Sequence, residues 1–219
     1  MTLRPFIRRH PVPAYLVLVF GVVWPILGIP RLAGHSVPPR WESLALSGLA
    51  FAVLFGGAVL LTAVADGRAG VGRLLAGLVR WRIGVARWLL ITGALPVLTV
   101  IVAWASGTLR PPPEGWLSMS LTFLVPGLVL GALLTNFWEE AAWMGFVQRR
   151  FMTRHGLFAA ATLTAGPFAL MHVPGTFQNT PAEQAVVTLV AVAMLAPFLR
   201  YLLGVVFVDT PPVHPMPAT

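Results

Sequence analysis

Two adjacent carboxylates, Glu139 and Glu140, stand inside the otherwise apolar run Asn136–Arg150, NFWEEAAWMGFVQRR. The chain has only seven acidic residues, and nowhere else are two of them neighbours. An ionised carboxylate at the centre of a membrane helix costs on the order of 3 kcal/mol, and such groups as a rule face the bundle interior and serve a function. Four-residue steps back from Glu139 reach Thr135, Gly131 and Gly127, a stripe of small residues that admits a neighbouring helix. Glu139 is therefore expected to look into the bundle, with Glu140 about 100° further round flanking the same cavity. Close carboxylates in a poorly solvated site repel each other, which suits one of them to general-base work. The bland alternative is a helix that has already left the bilayer, with both glutamates solvated.

His172 is the second candidate. It closes the apolar stretch Phe158–Met171 and precedes Val173-Pro174-Gly175, which should stop a helix. Neutral imidazole is the usual protein ligand for zinc and can also shuttle protons. Phe168 lies one turn earlier, and Pro167 can bend the helix toward a neighbour. A lone histidine at a helix end is more often structural; a nearby intramembrane glutamate pair favours chemistry. Asn136 stands one turn before the pair and could hydrogen-bond in the same cavity. Arg149 and Arg150 read as topology charges. His10, His35 and His155 fall in polar gaps, and His214 sits in the tail.

The elements that must position these residues are membrane helices. The chain of 219 residues is 57% hydrophobic and 10% charged, where soluble domains carry about a quarter charged residues. Six apolar runs approach the roughly 20 residues that a spanning helix needs. They are about Pro13–Ile29, Leu44–Ala65, Trp88–Ala105, Trp116–Arg150, Leu157–His172 and Glu183–Val208. Asp66-Gly67-Arg68 ends the second, and a basic connector, Arg68–Arg87, follows it. Its Val71, Leu74, Leu75 and Leu78 recur at helical spacing, which predicts an amphipathic helix on the membrane surface. The fourth run would be roughly 50 Å long as one straight helix, so it must protrude, tilt or kink, with Pro126-Gly127 the natural break.

The fold class expected is thus all-α, a polytopic membrane helix bundle of about six transmembrane helices plus one amphipathic surface helix. Residues 1–116 form the N-terminal helices with their basic connector, 117–208 the membrane core, and 209–219 a disordered proline-rich tail. All fifteen basic residues are arginine, and with the abundant Ala, Gly, Val and Leu this points to a GC-rich bacterial genome. Eleven arginines fall in the amino terminus, the connector and the gap Arg149–Arg154, against three in the alternate gaps. That bias predicts a multi-pass protein of the bacterial inner membrane with its amino terminus cytoplasmic. The positive charge is thereby accounted for by the bilayer and implies no nucleic acid partner. The absence of cysteine excludes disulfides, thiolate metal sites and a cysteine nucleophile.

At these residues the sequence resembles the CPBP family of intramembrane metalloproteases, which includes the CAAX prenyl endopeptidases and the Abi-type bacteriocin-processing or immunity proteins. The family's first motif, Glu-Glu-x-x-x-Arg, reads here Glu139-Glu140-Ala141-Ala142-Trp143-Met144, followed by Gly145. The second, Phe-x-x-x-His, is matched by Phe168-Ala169-Leu170-Met171-His172. The likeness covers about Leu117–Gly204. Two departures stand out: Met144 replaces the motif arginine, and the family's later His-x-x-x-Asn/Asp helix is not found after Arg200–Gly204, as if truncated or lost. The resemblance implies a glutamate-activated water that cleaves a membrane-associated peptide or protein. Glu139 and Glu140 would be the base and its electrostatic partner, and His172 a metal ligand or oxyanion donor. A divalent metal, zinc by preference, would be bound through His172 and Glu140, an incomplete set beside the usual three ligands. The alternative is a catalytically impaired relative that acts by binding, as a bacteriocin-immunity or protein-interaction factor. A proton-coupled transporter subunit is a third class, supported by buried charge alone.

Overall fold

A computed structural model describes residues 3–32, 40–78, 84–105, 107, 109–125, 137–179 and 181–208. Among them every regular element is helical and none is a strand, as expected for a membrane bundle. A short α1 (Leu3–Arg9) leads into α2 (Pro11–Leu32), the first apolar run. The second run and the first part of the basic connector, as far as Leu78, make up α3 (Arg40–Leu78), two helical halves that meet at a kink where Gly67 takes the non-helical φ 70° and ψ −167°. That positive-φ conformation is cheap only for glycine, so the first half ends at Asp66-Gly67-Arg68, where the sequence places its end, and the second sets off from it in a new direction. Past the kink Leu74 is buried and Leu75 exposed, so the leucines read as one apolar face do not share one environment in the bundle. The third run is α4 (Val85–Ala105), whose Leu89, Val97, Val100 and Trp104 point outward.

The long fourth run is not a straight α-helix. It opens as α5 (Trp116–Met119) and widens into a π-helix, π1 (Ser120–Leu124). The break expected at Pro126-Gly127, the stripe through Gly131 and Thr135, and Asn136 all lie outside the described residues. The run resumes as α6 (Phe137–Glu140), widens again into π2 (Ala141–Gln148), and ends as α7 (Arg149–Met152). α8 (Leu157–Met171), a short α9 (Val173–Asn179) and α10 (Ala182–Val208) complete the chain. Six spans were expected. Among the described residues four helices are long and apolar enough to cross a membrane: Pro11–Gly28, Gly48–Leu78, Leu157–Phe177 and Ala182–Val206.

π2 is the centre of the bundle, packed by α3, α8 and α10. Its Ala141, Ala142, Trp143, Met144, Phe146, Val147 and Gln148 are all buried. In lipid, moving an apolar side chain from the tails into the bundle gains little transfer energy, so association rests on close packing and polar contacts. Both are present here. A Cβ on Gly145 would stand 2.8 Å from Leu74 Cδ1, so glycine lets the far half of α3 close on π2. The wholly buried Tyr15 of α2 donates its hydroxyl to the Leu54 carbonyl of α3 at 3.1 Å. Its ring meets those of Phe146 and Trp143 at centroid distances of 5.0 and 6.2 Å.

The arginine-rich gaps gather at one end. Arg8 donates to the Val64 carbonyl at 3.2 Å, and Arg150 donates to the Asp66 carboxylate just before the kink. Arg73, Arg149 and Arg150 border a cleft of about 320 Å³ there.

Candidate active site

Of the two glutamates, Glu140 is the one held by a cation. Its partner is Arg200 of α10, which is wholly buried although it interrupts an apolar helix. Arg200 Nη1 donates to Glu140 Oε2 at 2.9 Å, and Nη2 donates to Oε1. The planar guanidinium thus meets both carboxylate oxygens as a fork, the strongest geometry such a pair can adopt. Arg200 Cζ also lies 4.2 Å from the centroid of the Phe168 ring, an attraction between cation and π-face. A lone guanidinium inside this bundle would be costly, and the fork and the ring together compensate it.

Local packing fixes Arg200. Its own carbonyl accepts a hydrogen bond from Gln148 Nε2 of π2 at 2.8 Å. One turn on, a Cβ at Gly204 would collide with Leu157 Cδ1 and lie 2.7 Å from Gln148 Nε2. Glycine at 204 is therefore what lets α10 reach the π2 and α8 surfaces closely enough for the fork to form. Three polar atoms in this layer have no hydrogen-bond partner among the described residues: Arg200 Nε, Gln148 Oε1 and Trp143 Nε1. The wide π2 turn begins directly after Glu140, and π segments often mark functional positions.

His172 is joined to this cluster through Phe168. The two rings are 4.7 Å apart between centroids at 60°, and Trp143 meets the other side of the chain of rings at 5.8 Å from Phe168. His172 Nδ1 lies 2.8 Å from the Phe168 carbonyl. A carbonyl can only accept, so Nδ1 carries the hydrogen and neutral His172 presents Nε2 as its basic nitrogen. That tautomer suits a proton acceptor or metal ligand better than an oxyanion donor.

The structure therefore brings Glu140, Phe168 and His172 into one cluster, with Arg200 in the middle. Among the described residues His172 makes no hydrogen bond to either glutamate. Glu139 is half-buried beside Glu140 and is not held by the Arg200 fork. Asn136 lies outside the described residues. The anchored Nδ1–H of His172 is the support a metal-ligating imidazole needs. Yet among the described residues no three His, Asp or Glu side chains gather, and both Glu140 oxygens already face Arg200. The described residues do not compose a complete ligand set.

Sequence reasoning passed over Arg200, and a signal was available. Every other arginine falls in a gap, at the amino terminus or at the very end of an apolar run, whereas Arg200 sits in the interior of one. A charge in that position should have been read as a site residue in search of an acid. Gln148, wholly buried, was missed because nothing in its spacing sets it apart from the solvated end of the run.

A helical membrane bundle with a buried Glu–Arg fork beside an aromatic–histidine pair defines a polytopic membrane protein with an intramembrane charged site. Residues 120–210 match the model of the type II CAAX prenyl endopeptidase Rce1-like family, which supports the resemblance to the CPBP proteases over that segment. The match covers both Glu139-Glu140 and Phe168–His172, and it includes Arg200. No curated protein and no solved structure matches the chain.

Proposed function

We propose that the chain is an intramembrane endopeptidase of the CAAX-protease type that cleaves a membrane-associated peptide or protein. The observation that carries this reading is the Glu140–Arg200–Phe168–His172 cluster, inside the segment that matches the family. With Glu140 held in the fork, Glu139 is the carboxylate left to act as base. It takes a proton from water, the resulting hydroxide adds to the peptide carbonyl carbon, and the carbon–nitrogen bond breaks as the proton passes to the leaving amine. Glu140 and Arg200 hold the local charge balance and the position of the helix turn that carries Glu139. His172, with Nδ1–H anchored, offers Nε2 to the polar groups of the intermediate.

The test is cleavage of quenched fluorescent peptides by the purified protein in bacterial-lipid vesicles, comparing wild type with Glu139→Gln and His172→Ala. Loss of cleavage in both variants, with folding retained, supports the proposal. Cleavage surviving both changes refutes it. A second reading, a non-cleaving relative that binds a membrane peptide, is favoured by one observation: both oxygens of Glu140 are engaged by Arg200. It predicts peptide binding without turnover, unaffected by Glu139→Gln.

A further inference from the structure

We infer that Arg200 does the work of the arginine missing from the first motif, holding Glu140 from a neighbouring helix instead of from its own. Position 144 lies one turn beyond Glu140, so an arginine there would reach back along the same helix face to that carboxylate. In this chain position 144 is Met, 7% exposed and enclosed in the bundle. The two oxygens such an arginine would seek are taken by the Arg200 guanidinium, which arrives from α10. Phe168, the first residue of the second motif, supplies the ring beneath that guanidinium. With Arg200 already forked onto Glu140, a second guanidinium from position 144 would compete inside the bundle for the same two oxygens, and with neither the half-buried Glu140 would lack a cation. Methionine at 144 and arginine at 200 are therefore a matched pair, and changing either alone is harmful.

This makes a prediction of sign that ordinary structural importance does not. Arg200→Leu is expected to lower the thermal midpoint by on the order of 10 °C, as loss of one member of a buried pair does. Met144→Arg in the natural background is expected to lower it too. Combined, Met144→Arg should reverse at least half of the loss caused by Arg200→Leu, a coupling beyond the sum of the single effects. The infrared signature of an arginine-bound carboxylate, identified by its absence in Glu140→Gln, should vanish in Arg200→Leu and return in the double variant. If Arg200→Leu yields no folded protein, recovery of folded double variant supports the assignment. Its continued failure to fold overturns it. Strict additivity of the two changes, or a double variant without the bound-carboxylate signature, likewise overturns it. These readouts need no cleavage, so they stand or fall apart from the protease proposal.

Discussion

Glu139 and Glu140 are chemically identical neighbours, and their environments predict opposite consequences when each is changed to glutamine. Arg200 has no exposed side-chain surface, and Glu140 is 30% exposed. Removing one charge of a buried pair costs about 3–5 kcal/mol, because the other is stranded. Two things reduce that figure for Glu140→Gln. The amide keeps an oxygen that can accept from Arg200, worth about 1 kcal/mol, and the partial exposure of position 140 lets the surroundings screen the orphaned cation. The expected loss is about 2–4 kcal/mol, a fall in Tm of roughly 5–15 °C for a chain of this length. Glu139→Gln removes no fork and relieves repulsion between two adjacent carboxylates, so its cost should stay within about 1 kcal/mol. Intrinsic tryptophan fluorescence during heating in detergent micelles measures both variants side by side. Equal shifts, or a larger shift for Glu139→Gln, would refute the assignment of the fork to Glu140. The same pair separates stability from turnover: Glu139→Gln should abolish peptide cleavage while leaving Tm nearly unchanged.

Gly204→Ala should destabilise the bundle by about 1–3 kcal/mol, since the added methyl meets Leu157 and Gln148 at the helix contact that seats Arg200; thermal unfolding checks it. Tyr15→Phe removes the buried hydrogen bond to Leu54 and should cost about 1 kcal/mol without changing substrate turnover. His172→Ala should abolish cleavage with a small change in Tm, because its hydrogen bond is a local one to Phe168, one turn back. Asp66→Asn loosens Arg150 at the arginine-rich end, where Asp66 is 40% exposed, so the effect should be about 0.5 kcal/mol and should shrink at high salt.

The bundle was legible because lipid imposes its own length and composition on a spanning segment. Apolar runs near 20 residues and arginines in alternate gaps are read without any tertiary information. The motif residues were legible too, since Glu139-Glu140 is costly wherever it sits in a membrane and Phe168 and His172 share a turn. What the sequence did not display were features decided by contacts between distant segments. Asp66-Gly67-Arg68 marked the break at Gly67, but that a second helical half resumes directly across it was not marked. The two π turns have no compositional mark, although the second carries the buried Trp143, Phe146 and Gln148.

The Glu140–Arg200 pair shows where the boundary between legible and hidden falls. Each member was visible alone as a charge in an apolar run, yet their sequence separation leaves their meeting to the packing of α10 against π2 and α8. Met144 supplied a further clue. A motif that keeps its two glutamates but not its arginine must find a cation elsewhere, or both carboxylates stand without one inside the bundle. The arginine outside every gap is the one placed to meet that requirement. Charge balance inside a membrane therefore works as a pairing rule: once topology has accounted for the arginines at the surface, those left over belong to the acids left over. Applied to this chain, the rule pairs Arg200 with the glutamate doublet, and the geometry selects Glu140.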